Sequence, residues 1–396
     1  MKRHIPLGHM NISDNAKKYV LDALDHNRLS SGKYIQQFEH QFAKKHQRQT
    51  SVFTASGTCA LQIALAALKE KHGYADGDEV LVPAITFVAT SNIVIQLNMK
   101  PVFVDVDPYT YNINPREIEK HITGRTRVII PVHLFGLPCD MDPIMEIAGR
   151  HKLQVIEDSC ETMFVHYKGR SVGTFGDYAC FSTYVAHLLI TGVGGVITMK
   201  DESDEKLLRS IMQHGRDTIY LNIDDDDELD DAFMESLVQR RFSFVRMGYS
   251  YRITELEGAL GVAALEETGQ MMLHRKTIGE AYTRALSQYE DALQLPYIPE
   301  GHEHAYMMYP IVLKRGNRDD YAMFLEKNGV ETRYMMPLLN QPYYKQQFGN
   351  IEDSYPAAKH INHNGLYIPC HQGMELADVD YVSELTATYL KGEKWR

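Results

Sequence analysis

From residue 51 onward, short apolar runs alternate with amphipathic stretches. The runs SVFTA, EVLVPA, KPVFVDV, TRVIIPV, LQVIED and YACFST are each predicted to be buried β-strands. Between them, CALQIALAALKEKH and MDPIMEIAGRHK repeat apolar residues with the period of a helix. Strands that alternate with helices in this way predict an α/β fold in which helices cover a mainly parallel sheet.

The pattern changes after the long helical stretch ITELEGALGVAALEE. Two strand-like runs, MMYPIVLK and GVETRY, follow it, and a final helix is predicted around residues 377–391. We therefore predict a large domain over residues 1–265, which includes an N-terminal arm, and a smaller C-terminal α/β domain over residues 266–396. The acidic run NIDDDDELDD is interpreted as part of a solvated insertion near residues 222–240.

The composition argues against several classes of protein. Of the 396 residues, 44% are hydrophobic and 23% are charged, as in an ordinary globular protein. The formal net charge of −11, without any basic stripe, argues against nucleic-acid binding. No apolar run approaches the length of a membrane span, and the N-terminus lacks an apolar signal core, so we expect a cytoplasmic protein. The five cysteines are scattered, which favours buried thiols over disulfides or a metal site.

Two predicted strands are followed by residues with candidate chemistry. Ser56-Gly57-Thr58 opens a helix, so its backbone N–H groups and the positive helix end would face an anion such as a phosphate. Taken alone, the same residues favour an ordinary strand-to-helix turn with a good N-cap. Glu157 and Asp158 end a strand at the edge where α/β sheets bind ligands, and a buried carboxylate there needs a cation such as a protonated pyridine nitrogen. A helix N-cap is an equally good interpretation of Asp158.

Phe87 and His187 have less specific surroundings. Phe87, in PAITFVAT, could lie against a flat ring, but a single aromatic residue more often belongs to the core. His187, in STYVAHLLITGVGG, lies between apolar residues, where a histidine is more often structural than catalytic. Neither residue establishes a function by itself.

Taken in order, these segments resemble the DegT/DnrJ/StrS family of pyridoxal-phosphate (PLP)-dependent sugar aminotransferases along nearly the whole chain. The resemblance implies the aspartate-aminotransferase-like fold (PLP fold type I) and a homodimer with active sites at the subunit interface. It also implies PLP or pyridoxamine phosphate (PMP) as cofactor and a nucleotide-linked sugar as substrate. The segments that look like family signatures are RLSSGKYIQQFE, TASGTCAL, VPAITFVAT, FVDVDPYTYNI, IIPVHLFGLPCDMD, VIEDSCE, GGVITMK, YRITELEGALGVAAL, NGVETRYMMPLLNQPYY and GLYIPCHQ.

The resemblance also assigns roles to cofactor-binding residues of this chain. Gly57 and Thr58 would hold the cofactor phosphate through backbone groups, and the hydroxyl of Ser182 would add a contact. Phe87 would stack on the pyridine ring, and Asp158 would pair with the ring nitrogen.

Three further residues are assigned through the resemblance. Ser250, where relatives often have Asn, would reach the phosphate held by the neighbouring subunit. Arg333 and His371 fall in segments that face the substrate in the family, although exposed or structural roles fit them equally well.

Two departures from the family pattern change the expected reaction. His187 stands seven positions before Gly194, where relatives have the Schiff-base lysine, and no lysine occurs within residues 170–199. Glu161 stands three positions after Asp158, where ordinary aminotransferases of the family tend to have Gln or His. Both departures resemble the 3-dehydratase branch, of the GDP-4-keto-6-deoxy-D-mannose 3-dehydratase type, which removes the 3-hydroxyl of nucleotide-linked 4-keto-6-deoxy sugars.

A histidine cannot tether PLP covalently as a lysine does, so PMP would be held by non-covalent contacts. The hypothesis is that PMP condenses with the 4-keto group and that His187 removes a proton from the cofactor methylene carbon, after which the 3-hydroxyl leaves, protonated by His187 itself or by a neighbour. An unperturbed pKa of about 6.5 suits histidine to this role at neutral pH. Glu161 would orient either the imidazole or the substrate hydroxyl, and L-glutamate would regenerate PMP.

Two other functions remain open from the sequence. The first is an ordinary nucleotide-sugar aminotransferase with an unusual base. The second is a catalytically silent cofactor-binding protein in which His187 is only packing. The iron–sulfur type of 3-dehydratase is less favoured, because it needs a close cysteine pair that this chain lacks.

Overall fold

The computed structural model describes residues 3–218 and 231–392. The predicted acidic insertion near residues 222–240 lies outside the described residues as far as residue 230, and its remainder forms a helix. The helices are α1 (Asp14–Asp25), α2 (Lys33–Lys45), α3 (Gly57–His72), α4 (Val88–Gln96), α5 (Pro115–Ile118), α6 (Met141–His151), α7 (Glu205–Met212), α8 (Asp231–Arg240), α9 (Glu255–Leu286), α10 (Arg318–Lys327), α11 (Pro342–Phe348), α12 (Pro356–Asn364) and α13 (Leu376–Lys391).

The strands form two larger sheets and one hairpin. They are β1 (Ser51–Thr54), β2 (Glu79–Pro83), β3 (Lys100–Val104), β4 (Thr126–Ile129), β5 (Gln154–Asp158), β6 (His166–Tyr167), β7 (Arg170–Ser171), β8 (Tyr178–Ser182), β9 (Gly195–Met199), β10 (Leu293–Gln294), β11 (Tyr309–Leu313), β12 (Arg333–Tyr334) and β13 (Gly365–Ile368).

The larger sheet confirms the predicted α/β architecture. Its strand order is β1-β9-β8-β5-β4-β2-β3. The neighbours from β8 to β3 pair in parallel, whereas β9 is antiparallel to both β8 and β1. The apolar runs predicted as strands correspond to β1, β2, β3, β4, β5 and β8, and β9 follows the paired glycines. Because the parallel strands share one direction, their carboxyl ends meet at one edge of the sheet.

The C-terminal region is built on a smaller antiparallel sheet with the order β10-β11-β13-β12. The run MMYPIVLK contains β11, and the final predicted helix is α13. The run GVETRY forms a strand of this sheet only at its last two residues. Its earlier part pairs instead with the N-terminal arm, since the N–H of Ile5 donates to the carbonyl of Gly329 and the N–H of Glu331 donates to the carbonyl of Ile5.

Helix α9 joins the two regions. It begins with a capping box between Thr254 and Glu257 and runs for 32 residues, which is about 48 Å. Its first part packs on α1 and α2, and its last part, with Ile278 and Tyr282, belongs to the core around the smaller sheet. The predicted domain boundary at residue 265 falls inside this continuous helix.

Two further observations concern the chain as a whole. The five cysteines are free thiols. Within residues 3–218 and 231–392, every helix is too short or too polar to cross a membrane.

Candidate active site

A cavity of about 410 Å³ lies at the carboxyl edge of the larger sheet. Its size is within the range of sites that bind small organic molecules. The C-terminal region closes one side of it with Met307, Met308, Met336 and Tyr367. Seven residues predicted from the sequence lie on its wall, namely Gly57, Thr58, Phe87, Asp158, Glu161, Ser182 and His187.

The N-terminus of α3 forms one end of the cavity. The Ser56 hydroxyl caps this helix by accepting a hydrogen bond from the N–H of Cys59 at 3.1 Å. Gly57 is closely surrounded, because a Cβ atom there would lie 2.8 Å from both the Cys160 Sγ and the Ser182 Cβ. The first N–H groups of a helix lack acceptors within the helix, and the helix dipole adds positive potential. This end of the cavity is therefore suited to a phosphate.

Replacing Gly57 with alanine is expected to weaken the binding of PMP at least tenfold and to destabilise the fold by about 1–3 kcal/mol, because the new methyl group overpacks this turn. Titration with PMP and the thermal unfolding midpoint would measure both effects. Gly149→Ala in α6 is the matched control, since a Cβ there meets no atom within 4 Å. Equal PMP affinity in the two variants would contradict the assignment of this turn to the phosphate.

Glu157 and Asp158, the two neighbouring carboxyl groups at the end of β5, lie in different surroundings. Glu157 is fully buried and is bonded by the His133 Nε2 atom at 3.1 Å and by three backbone N–H groups of residues 173–176. Burial alone would raise the pKa of Glu157, but these partners lower it. Successive residues of a strand face opposite sides of a sheet, so Asp158 reaches the cavity while Glu157 holds the fold.

Asp158 is a buried carboxyl group on the cavity wall. It is 4% exposed, and it accepts hydrogen bonds from the Thr90 hydroxyl at 2.7 Å and the Cys160 N–H at 3.2 Å. Burial raises its pKa, and these hydrogen bonds oppose the rise. Within the part of the chain that the structure describes, no Lys, Arg or His forms an ion pair with it. A buried carboxylate at a cavity wall fits a ligand that brings a positive charge, such as a protonated pyridine nitrogen.

Phe87 presents an apolar ring to the cavity. The residue directly precedes α4, and it is 58% exposed in a chain whose other large apolar residues are mostly buried. The position of Thr86 beside it is fixed by a 2.8 Å hydrogen bond between the Thr86 and Thr90 hydroxyls. An exposed ring on a cavity wall is suited to stacking against a flat ligand.

The imidazole of His187 is held by the backbone of the segment after β5. Its Nδ1 atom lies 2.5 Å from the carbonyl oxygen of Cys160. Because a carbonyl only accepts, this contact assigns the proton to Nδ1 and leaves the lone pair on Nε2. Burial lowers the pKa of His187 to about 4, so the ring is neutral at pH 7 and departs from the unperturbed value assumed from the sequence.

Glu161 is the second carboxyl group of the cavity. It is 6% exposed, and its Oε2 atom accepts a hydrogen bond from the N–H of Phe135 at 2.9 Å. Phe135 has φ 57° and ψ 11°, a left-handed conformation that non-glycine residues rarely adopt. Burial raises the pKa of Glu161 to about 7, and the charge of Asp158 adds to the rise. The carboxyl group is therefore partly protonated at neutral pH.

His371 lies outside the cavity and contacts the N-terminal arm. Its Nε2 atom lies 2.9 Å from the carbonyl of Pro6, and its Nδ1 atom accepts a hydrogen bond from the N–H of Gly373 at 3.2 Å. Both ring nitrogens are thus engaged within the chain. In this structure the predicted substrate residue attaches the arm to the C-terminal region.

Ser250 and Arg333 also lie away from the cavity wall. The Ser250 hydroxyl accepts a hydrogen bond from the Arg252 guanidinium at 3.1 Å. Arg333 is exposed, and its guanidinium donates to the carbonyl of Thr332 at 2.7 Å. Within one chain, these two residues are not brought together with the predicted cofactor residues.

Several residues of the site were not found from the sequence. Thr90 follows Phe87 by about one helical turn, and this spacing was the signal that could have identified it. Phe135 carried no such signal, because left-handed backbone is typical of Gly and Asn rather than Phe. Met336 and Tyr367 reach the cavity only through packing of the C-terminal region on the larger sheet.

A helix end suited to a phosphate, an exposed aromatic face and a buried carboxyl group at the edge of this sheet are the features expected of a fold type I PLP enzyme. The chain belongs to the DegT/DnrJ/EryC1/StrS aminotransferase family, whose model matches residues 10–386. This membership confirms the predicted fold and the expected class, a PLP-dependent enzyme of the sugar aminotransferase or 3-dehydratase type.

Known relatives represent both types. The chain is 33% identical to the GDP-perosamine synthase of Caulobacter vibrioides over 376 residues, with 94% of each chain covered. It is 29% identical to the GDP-4-keto-6-deoxy-D-mannose 3-dehydratase of Escherichia coli O55:H7 over 390 residues, which covers 96% of this chain and 98% of the relative. A solved structure of the E. coli 3-dehydratase with bound hydrated PLP superposes with a TM-score of 0.84 at 26% identity, covering 97% of this chain and 99% of the other.

Proposed function

We propose that the protein is a PMP-dependent 3-dehydratase that removes the 3-hydroxyl group of a nucleotide-linked 4-keto-6-deoxy sugar. The observation that carries the proposal is the neutral imidazole of His187 on the cavity wall, with no lysine among the described residues that line the cavity. An uncharged imidazole can accept a proton but cannot hold PLP covalently.

The residues of the cavity fit a PLP or PMP cofactor. Gly57, Thr58 and Ser182 would hold its phosphate, Phe87 would cover a face of its ring, and Asp158 would pair with the ring nitrogen. When bound, the cofactor supplies an electron-withdrawing ring that stabilises negative charge on the adjacent carbon. The carboxylate of Asp158 would keep the ring nitrogen protonated, and this would strengthen the withdrawal of electrons by the ring.

His187 would act as the base of the reaction. Its proton on Nδ1 is committed to the Cys160 carbonyl, so Nε2 is the atom that would take a proton. With a pKa of about 4, the ring does not have to lose a proton first at neutral pH. The amino group of a lysine would need a large lowering of its pKa to be neutral at pH 7.

L-Glutamate is proposed as the donor that returns the cofactor to PMP. The five cysteines are free, and their sequence spacing includes no close pair for an iron–sulfur cluster, which supports the cluster-free type of dehydratase. A homodimer is part of the proposal, because Ser250 would contact a cofactor only in a neighbouring copy.

An ordinary aminotransferase is the second candidate. It is favoured by the GDP-perosamine synthase of C. vibrioides, which is 33% identical to the chain, compared with 29% for the E. coli 3-dehydratase. The two candidates differ in their products, since one reaction removes oxygen from the sugar and the other adds an amino group.

The test is to incubate the protein with PMP, L-glutamate and a panel of nucleotide-linked 4-keto-6-deoxy sugars, and to determine product masses. We expect a 3-deoxy-4-keto sugar, with one ammonia released and one 2-oxoglutarate formed per sugar. Without L-glutamate, the reaction should form no more product than the PMP supplied. An amino sugar would support the aminotransferase instead, and the absence of any product across the panel would support the silent cofactor-binding protein.

A further inference from the structure

The two acid–base groups of the cavity are held by different partners. The carbonyl of Cys160 orients the imidazole of His187. Glu161 is fixed separately, by the hydrogen bond from the N–H of Phe135 to its Oε2 atom. No hydrogen bond joins Glu161 to His187 in the described ranges. The imidazole is therefore positioned without Glu161, and the carboxyl group is available for another task.

One carboxyl oxygen of Glu161, Oε1, is available to contact a ligand. Its Oε1 atom has no hydrogen-bond partner within residues 3–218 and 231–392, and the residue lines the cavity. The unusual backbone of Phe135 is also fixed from the C-terminal side, because the carbonyl of Gly136 accepts a hydrogen bond from the N–H of Ala305. The loop therefore holds the carboxyl group in one place with one oxygen uncommitted.

The groups around Glu161 favour its protonated form. Burial is the main cause of its raised pKa; the hydrogen bond from the Phe135 N–H opposes the rise, and the carboxylate of Asp158 adds to it. Tyr367 and Cys160 also line the cavity, and the charge of Glu161 raises the pKa of both, in addition to the larger effect of burial. His187, which also lines the cavity, is neutral at pH 7. No Lys or Arg of the described chain lines the cavity to hold Glu161 as a carboxylate.

We propose that Glu161 is the acid of the dehydration, which donates its proton to the departing 3-hydroxyl group. This inference rests on the proposed function. Hydroxide is a poor leaving group at neutral pH, and a positioned acid makes its departure easier. His187 takes the proton of the C–H bond that breaks, and the electron pair of that bond is passed on until the C3–O bond breaks. The departing oxygen keeps the electron pair of the C3–O bond and takes the proton of Glu161. It leaves as water, and Glu161 remains as a carboxylate.

The kinetic test compares Glu161→Gln with the wild type on two substrates. The amide keeps an oxygen acceptor for the Phe135 N–H and a similar volume, but it has no acidic proton. We expect the variant to dehydrate the natural 3-hydroxy sugar at least about 10²-fold more slowly. A 3-deoxy-3-fluoro analogue releases fluoride, which needs no proton, so the variant should process it within a few-fold of wild type. Glu161→Asp keeps an acid and should retain more dehydration than Glu161→Gln.

The same comparison separates the possible failures. Equal slowing on both substrates would mean that Glu161 is needed for structure or for an earlier step. Dehydration by Glu161→Gln at the wild-type rate would mean that Glu161 is not the acid. Both results overturn the inference while the proposed function stands. If the wild type forms only an amino sugar, the proposed function itself fails. His187→Asn is the control, because it should slow both substrates.

A second readout uses the protein without cofactor. A protonated carboxyl group should be visible by isotope-edited infrared spectroscopy, should titrate near pH 7 and should disappear in Glu161→Gln. Because folding raises the pKa of Glu161, the unfolded chain loses this proton at a lower pH than the folded chain does, and the fold loses stability as the pH rises from the unfolded value toward the folded one. Glu161→Gln should therefore raise the unfolding midpoint more at pH 8 than at pH 5. A carboxyl group that titrates near its ordinary value would overturn the inference.

Discussion

Replacing His187 with asparagine is expected to slow dehydration by between about 10²- and 10⁴-fold, the usual contribution of a positioned acid–base group. Asparagine is polar and smaller than histidine, but it has no basic nitrogen to take the place of Nε2. The cofactor contacts predicted for Phe87, Asp158 and the turn at Gly57 do not involve this side chain, so PMP should still bind. The rate of 3-deoxy sugar formation and the affinity for PMP are the two measurements.

His40→Asn is the matched control for this variant, because His40 is an exposed histidine in α2 and lies outside the cavity. It should leave both the rate and the affinity unchanged. Dehydration by His187→Asn at the wild-type rate would refute the assignment of His187 as the base. Loss of PMP binding in the same variant would give His187 a role in holding the cofactor.

Replacing Asp158 with alanine should weaken PMP binding by about 3–5 kcal/mol, the usual cost of removing one partner of a buried ion pair, which corresponds to about 2 × 10²- to 5 × 10³-fold in affinity. The reason is that the adjacent carboxylate, Glu157, faces away from the cavity and is fully engaged, so it cannot replace Asp158 beside the ring nitrogen. Asp158→Asn keeps an acceptor for the Thr90 hydroxyl and should fall between the wild type and alanine. Equilibrium dialysis against PMP would measure the affinities.

Glu157→Gln offers a control from the adjacent position. It removes the charge that bonds with His133 and with the backbone of residues 173–176, so it should lower the unfolding midpoint. Because the side chain does not line the cavity, the PMP affinity of the folded protein should change little. If Asp158→Ala and Glu157→Gln lowered the affinity equally, the proposed pairing of Asp158 with the ring nitrogen would be wrong.

The fold was predictable because its strands are short, apolar and bounded by polar residues. The runs from SVFTA to YACFST each became a strand of the larger sheet, since a strand covered on both faces must be apolar throughout. The run GVETRY has the same local character but formed only two strand residues in the smaller sheet. Its partner, the arm residue Ile5, is far away in the sequence, and local patterning carries no information about such a pairing.

The residues of the site were partly predictable for a similar reason. The turn at Gly57, the ring of Phe87 and the carboxylate of Asp158 each follow a strand directly, so strand order alone places them at one edge. Ser250, Arg333 and His371 belong to segments whose position depends on packing between regions or on a second copy. Their proposed roles therefore gained no support from the geometry of one chain.

The sequence by itself indicated the family, several residues of the cavity wall and the presence of His187 where the resemblance leads one to expect a lysine. It indicated these because they depend on residue identity and spacing along the chain. The tertiary structure alone decided which of two adjacent carboxylates reaches the cavity, which nitrogen of His187 keeps its proton, and why the pKa of Glu161 rises to about 7. Those properties arise from burial and from hydrogen bonds between distant segments, and both exist only once the chain is folded.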